Sequence, residues 1–237
     1  MIRKTYAFLA SLSLGLWLMG GVMALLAAGS FVGGEQSTLN AMPLFAWLGQ
    51  APFAASWWLW GALVLLGFLV LNTVLCSVET LRQGWGERRL LQLLAPQLMH
   101  LGFLLIVLAH LLSARGAEKE AMEVAEGSVL AFPDGSSVRV TALTATPGPM
   151  GMPADFSAGI VATEGGRRTA ATVRPNHPFF HNGIGIYLKH VEPFPFPVGY
   201  VELHREPGAG WALAGALLFT AGNVALLAVR RGRPLAG

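Results

Sequence analysis

Charge is scarce in this chain of 237 residues: Asp, Glu, Lys and Arg make up 12% of it, against 54% apolar residues and a mean hydropathy of +0.55. That balance excludes an ordinary soluble domain and describes an integral membrane protein. There is one cysteine, Cys76, so no intramolecular disulfide can form. No Cys-x-x-Cys-His run occurs, and the chain is therefore not itself a c-type cytochrome. It also lacks a Walker A sequence, a nucleophile elbow and any evident pair of catalytic carboxylates, which leaves enzymatic chemistry of its own without support. The sequence pI near 9.4 does not point to nucleic acid. Half of the basic residues flank apolar runs and the other half are scattered.

What is present is four apolar stretches, about residues 6–32, 57–78, 93–114 and 211–229, each near the 20 or so residues that a bilayer core requires. The first resembles a signal peptide in its small residues Ala27, Ala28 and Ser30. It is longer than an ordinary signal-peptide core, and a retained helix is expected. Arg3 and Lys4 precede the first span, Arg82, Arg88 and Arg89 follow the second, and Arg230, Arg231 and Arg233 follow the last. The positive-inside rule then places both termini and the short second loop in the cytoplasm of a multi-pass cell-membrane protein. The first loop, Gly33–Ser56, has no Lys or Arg and belongs outside, together with the segment between spans three and four. The expected domains are residues 1–114 with three helices, an exported domain over 115–209, and 210–237 with the fourth helix and a cytoplasmic tail. Trp57, Trp58 and Trp60 read as an interfacial aromatic belt.

The exported domain reads as all-β, a small sandwich or open barrel of six or seven strands, because its apolar runs are short and separated by turn signals. Ser128–Phe132 and Ser137–Leu143 flank Pro133-Asp134-Gly135, and Ser157–Thr163 and Arg168–Val173 flank Glu164-Gly165-Gly166. Both are hairpin signals. Ile184–Val191 and Val198–His204 flank a segment with prolines at 193, 195 and 197, which marks a loop. Gly183 and Gly185 lack the following helix of a nucleotide fingerprint and read as strand or bulge positions.

Six histidines remain to be weighed. His100 and His110 lie in the third span, where an ionisable side chain is costly and so marks a functional site. Neutral imidazole there suits haem ligation or proton relay. Ten residues apart, the two are separated by about 15 Å along a helix and roughly 80° around it, so one iron cannot take both. His100 is the candidate axial ligand of haem b, resident or in transit, and His110, near the outer surface, a second or transient site. Pro96 makes the depth of His100 conditional: a span starting at Pro96 would put it one turn in and suit haem uptake from the cytoplasm. His177, His181, His190 and His204 belong to the β-domain. Pro178 and Asn182-Gly183 argue for a loop around the first two, and metal binding is not expected there. Asp155 and Asn176 read as turn residues. In span four, Ala212, Ala216 and Thr220 form a stripe of small residues suited to helix packing, internal or against a partner, and Asn223 places an amide in the membrane.

Several local motifs resemble the ResB-like family of cytochrome c biogenesis proteins, the system II or Ccs system, in a short form. Leu9-Ala10-Ser11-Leu12-Ser13-Leu14 resembles its "LASLRL" opening and Leu71-Asn72-Thr73-Val74-Leu75-Cys76 its "LN…C" close of span two. His100-Leu101-Gly102-Phe103-Leu104-Leu105 resembles its membrane histidine motif, and Met152-Pro153-Ala154-Asp155-Phe156-Ser157 its "G-x-P-x-D-F-x-S". The run through Asn176 and Pro178 to Gly183 and Tyr187 resembles "V-N-x-P-L…G-x-x-x-Y". The resemblance implies a membrane subunit that handles haem with a ResC/CcsA-like multi-span partner and presents apocytochrome c outside. Thioether chemistry would then belong to the assembled pair, as a holocytochrome c synthase complex. Two other readings stay open: a scaffold subunit that binds no haem, and a b-type electron-transfer subunit.

Overall fold

The computed structural model describes residues 2–32, 42–84, 90–148 and 153–231. Arg88, Arg89, Arg233, Met152 and the first part of the Gly33–Ser56 loop lie outside them. The chain divides into two compact units, Met1–Arg115 with Gly208–Gly237, and Gly116–Pro207.

The first unit is helical: α1 (Ile2–Leu9), α2 (Leu12–Val32), α3 (Leu44–Gln50), α4 (Phe53–Gly84), α5 (Leu90–Gly116) and α6 (Ala209–Arg231). Four of these, α2, α4, α5 and α6, are long and apolar enough to cross a membrane. The first span starts at Leu12 and not near Tyr6, because the helix breaks at Ala10-Ser11. Ser11 caps α2: its Oγ accepts the Leu14 N–H at 3.2 Å, satisfying one of the orphan donors of a helix start. Asn72 of α4 fixes the break, its Nδ2 donating to the carbonyls of Leu9 (2.6 Å) and Ser11 (3.0 Å).

The helix of the third span is a few residues longer at each end than the expected 93–114. It starts at Leu90, and Pro96 lies within it. His100 is therefore ten residues, about 15 Å, from the start of a helix about 40 Å long, so it is not one turn in.

The aromatic belt divides. Trp57 and Trp60 face outward, whereas Trp58 is buried with Trp47, Leu48 and Leu59. Its indole lies against Gly29 of α2, closer than a Cβ there would allow, and its Nε1 donates to Ala55 O at 2.9 Å.

Helices α5 and α6 meet along a seam of small residues. Ala95, Gly102 and Ala109 recur every seven residues on α5 and are buried. Gly208, which precedes α6, Gly215 and Gly222 recur at the same interval and meet the carbonyls of Ala109, Gly102 and Ala95 in that antiparallel order. A Cβ on Gly102 would stand 2.5 Å from Phe219 N and 2.6 Å from Gly215 O, so the backbones touch with no room for a side chain. A seven-residue repeat keeps one narrow face on the partner helix, and small residues there allow close backbone packing. The stripe Ala212, Ala216 and Thr220 does not form this seam; Ala216 and Thr220 are exposed. Asn223 turns back on its own helix, Nδ2 to Phe219 O at 2.8 Å.

The second unit has eight strands: β1 (Glu118–Ala125), β2 (Val129–Ala131), β3 (Ser137–Pro147), β4 (Pro153–Glu164), β5 (Arg167–Val173), β6 (Phe179–His181), β7 (Ile184–Glu192) and β8 (Val198–Arg205). They form two antiparallel four-stranded sheets, ordered β1-β8-β7-β6 and β2-β3-β4-β5. Inward residues of both, among them Val124, Val138, Val140, Ile160, Val173, Leu188, Val191 and Val201, share one core. This is a sandwich, closed by alternation of inward and outward positions along each strand.

Two of these strands lie outside the six segments that the sequence pattern marks. Glu118–Ala125 lacks a β-branched run and becomes a strand by pairing with β8 along its whole length. Phe179–His181 pairs with Ile184–Ile186 across the two-residue turn Asn182-Gly183. Both turn residues have positive φ, 47° and 79°, which suits the Asn-Gly hairpin turn. Gly183 is thus a turn residue and not a strand or bulge position.

The seam predicts a sharp contrast. Gly215→Leu forces α5 and α6 apart and should lower the stability of the full-length protein in mild detergent by about 3 kcal/mol, the range of serious overpacking. Ala216→Leu, one residue on and exposed, should leave the melting temperature unchanged within a degree or so. Paired thermal melts would check both.

Candidate functional site

Helix α4 carries four hydroxyl side chains, and three of them behave as hydroxyls in apolar helices ordinarily do. Ser56, Thr73 and Thr80 each bond the carbonyl four residues back, at 3.2, 2.8 and 2.8 Å. Ser77 is different. Its Oγ lies 2.7 Å from Nδ1 of His100 on α5, a hydrogen bond between two spans. The other ring nitrogen, Nε2, has no hydrogen bond among the described residues. One turn before His100, on the same face of α5 by the i, i+3 rule, Gln97 has its amide Nε2 buried without a partner. An unmet amide in apolar surroundings costs free energy. Two polar groups with unspent bonding capacity therefore lie on one face of one spanning helix.

The residues fit an iron porphyrin as far as side-chain chemistry decides it. Imidazole ligates iron in its neutral form through one nitrogen while the other is held by a hydrogen bond, and Ser77 supplies that second contact. A porphyrin also carries acceptors that a free amide N–H can meet. His110 lies on the same continuous helix and is exposed, with no partner of its own among the described residues. Cys76 is half-buried and free.

The second unit contains two polar clusters. In the first, Asp134 of the β2–β3 turn accepts from Ser136 N (2.9 Å) and Ser136 Oγ (2.5 Å) through Oδ1, and from Asn182 Nδ2 (2.6 Å) through Oδ2. The buried Ser136 hydroxyl also lies 2.7 Å from the buried Nε2 of His181. A serine has one hydroxyl proton. With that proton on Asp134, His181 must be the donor to Oγ, the reverse of what a nucleophilic serine requires. The cluster therefore ties two hairpin ends together and is not a hydrolytic site. His181, expected in a loop, is on β6 between the rings of Phe132 and Phe179. His177 closes a turn with Arg174 in which Asn176 has φ 61°, and Pro178 separates that turn from β6. Asp155, expected in a turn, is in β4 and accepts the N–H of Phe156 at 2.9 Å.

The second cluster centres on Glu202 of β8. Desolvation raises its pKa, but hydrogen bonds from Lys189, His204 and Lys119 outweigh that and hold the carboxyl at about 2. Tyr187 lies with its ring centroid 4.8 Å from that of His204. Cationic partners around one carboxylate repel a metal ion, and no group of three or more metal-ligating side chains occurs among the described residues.

The histidine, the orphan amide and the β-unit motifs fall in one stretch of sequence. Residues 85–193 match the model of the ResB-like family. The ResB-like segment contains Gln97, His100, His110, Asp155, Asn176, Pro178, Gly183 and Tyr187, while Asn72, Ser77 and α6 lie outside it. No curated protein matches the sequence. Among solved structures, the cytochrome c haem lyase CcmF aligns with 86% of this chain at 14% identity and a TM-score of 0.47. The chain spans about a third of that protein, 34% of its length.

Sequence reasoning flagged His100 but missed Ser77 and Gln97. Serine and glutamine at these positions have no signature of their own. The one available signal was their spacing, Gln97 three residues before His100 and Ser77 next to Cys76 in the "LN…C" motif. Neither points to the other without the packing of α4 on α5.

Two outcomes follow from these hydrogen bonds. Asn72→Leu removes the bonds to the carbonyls of Leu9 and Ser11, the latter keeping only the Gly15 N–H at 3.3 Å, and should cost about 2 kcal/mol, read as a lowered melting temperature in detergent. The Asp134 carboxyl sits at about 2 against an ordinary 3.8, chiefly through the Ser136 hydroxyl. Its contribution to stability is complete above about pH 4 and disappears as the pH falls towards 2. Asp134→Asn should flatten the melting-temperature profile of the full-length protein in that window and leave the profile above pH 5 parallel to the wild type.

Proposed function

We propose that this chain is a membrane subunit of a cytochrome c assembly system that handles haem within the bilayer. The observation that carries the reading is the Ser77–His100 pair with a free Nε2 and the unpaired Gln97 amide one turn away. The family match over residues 85–193 supports the same role. His100 is the proposed axial ligand of haem b, held in transit as cargo. His110 lies about 15 Å further along α5 and is exposed, which suits a transient second contact with a later carrier. One helix cannot supply both axial ligands, so the opposite ligand comes from a ResC/CcsA-like partner.

Arg3, Lys4 and Arg82 support a cytoplasmic N-terminus, with the β-sandwich on the outer face. There the sandwich would help to present apocytochrome c. Thioether formation would belong to the assembled complex.

A scaffold that binds no haem is the competing reading, and the same Ser77–His100 bond favours it when taken only as a tie between helices. A b-type electron carrier would need facing histidine pairs, and the other three spans contain no histidine.

The test is a pyridine haemochrome spectrum of the full-length protein, purified in mild detergent with and without its multi-span partner. The expected result is haem b near one per complex in wild type and at least a tenfold loss in His100→Ala. Wild-type complex that co-purifies intact yet contains no haem would leave the scaffold reading.

A further inference from the structure

We propose that Ser77 is the positioning residue for His100, accepting from Nδ1–H in the imidazole tautomer that leaves Nε2 free for iron. The inference rests on the haem reading above and deepens it.

Helix α4 provides the argument. A hydroxyl in an apolar helix has a ready acceptor, the carbonyl four residues back, and Ser56, Thr73 and Thr80 all use it. Ser77 instead reaches across to His100 Nδ1 at 2.7 Å. Two arrangements satisfy that distance. Nδ1–H can donate to Oγ, which leaves a lone pair on Nε2, or the hydroxyl can donate to Nδ1, which puts the ring proton on Nε2. Only the first leaves a nitrogen able to ligate. Iron at Nε2 selects it, and the Ser77 hydroxyl then stabilises the ligating ring by accepting from Nδ1. The hydroxyl proton is free to return to the carbonyl of Thr73, the same back-bond its neighbours make.

A hydrogen bond to the distal nitrogen of a ligating imidazole does two things. It holds the ring plane, and it makes the ligating nitrogen a stronger donor, which favours ferric over ferrous iron. Removing an outer partner of this kind typically weakens metal binding by about 10- to 100-fold. Ser77 touches neither iron nor porphyrin in this scheme and acts through His100 alone.

The experiment uses the full-length protein with its partner, loaded with protohaem in mild detergent, as wild type, Ser77→Ala, Ser77→Thr and Thr80→Ala. The readouts are the haem midpoint potential and the rate of haem loss to an apomyoglobin trap. Ser77→Ala should raise the potential and speed haem loss by about 10- to 100-fold. Ser77→Thr, which keeps the hydroxyl, should restore both, and Thr80→Ala, which removes a hydroxyl bonded to its own helix, should change neither. A purely structural role for Ser77 would alter melting temperature without moving the potential. Wild type and Ser77→Ala with equal potentials and equal loss rates would overturn the positioning role and leave His100 as ligand. Wild type that binds no protohaem would overturn the haem reading itself, and the positioning role with it.

Discussion

Everything in the helical unit is conditioned by one constraint: in hydrocarbon, water supplies no partner for a polar atom. In α4 and α6, three hydroxyls and Asn223 accordingly bond within their own helical segments and Asn72 bonds two carbonyls of a neighbouring break. Against this frugality, two groups on one face of α5 keep unspent bonding capacity. His100 Nε2 and Gln97 Nε2 are both on α5, three residues apart. A membrane helix that leaves two such groups unpaired on one face is built for something that meets them.

The small-residue seam between α5 and α6 gives that face its rigidity. Ala95 and Gly102 lie two residues from Gln97 and His100 respectively, and with Ala109 they are pinned by backbone contact with α6 and the residue before it. Axial ligation tolerates little error in ring position. Fixing α5 through its backbone, where no rotamer can give way, positions the His100 ring more firmly than side-chain packing would. The same seam brings the chain ends of the helical unit together at Ala109 and Gly208, and the β unit does likewise at Glu118 and Arg205, partners across β1 and β8. An inserted domain of this kind needs its ends adjacent in both units.

How much of this was legible in the sequence depended on range. The four apolar helices and six of the strands announce themselves through local pattern, and the hairpin signals at Gly135 and Gly165-Gly166 coincide with turns of positive φ. The break at Ser11 was not legible, because what fixes it is Asn72, 61 residues away. Strand β1 was missed since Glu, Lys and Ala favour helix in isolation, and only pairing to β8 makes it extended. The stripe Ala212, Ala216 and Thr220 obeys a four-residue rule, whereas the actual contact follows a seven-residue one through Gly215 and Gly222. Both patterns exist in α6, and which one faces a partner is a property of α5.

The candidate site shows the same division. An imidazole in a span is visible at once, because ionisable groups there are rare and costly. What singles it out is that Ser77 of another helix meets one ring nitrogen while the second has no hydrogen bond among the described residues. The β unit supplies the counterexample. His181 also meets a serine hydroxyl, but Ser136 already gives its proton to Asp134, and the ring is closed in by Phe132 and Phe179. Both of these histidines share a hydroxyl; one is sealed into a structural knot and the other keeps a nitrogen open. That difference, more than residue type or position, separates a histidine that holds a fold from one left with a free ring nitrogen.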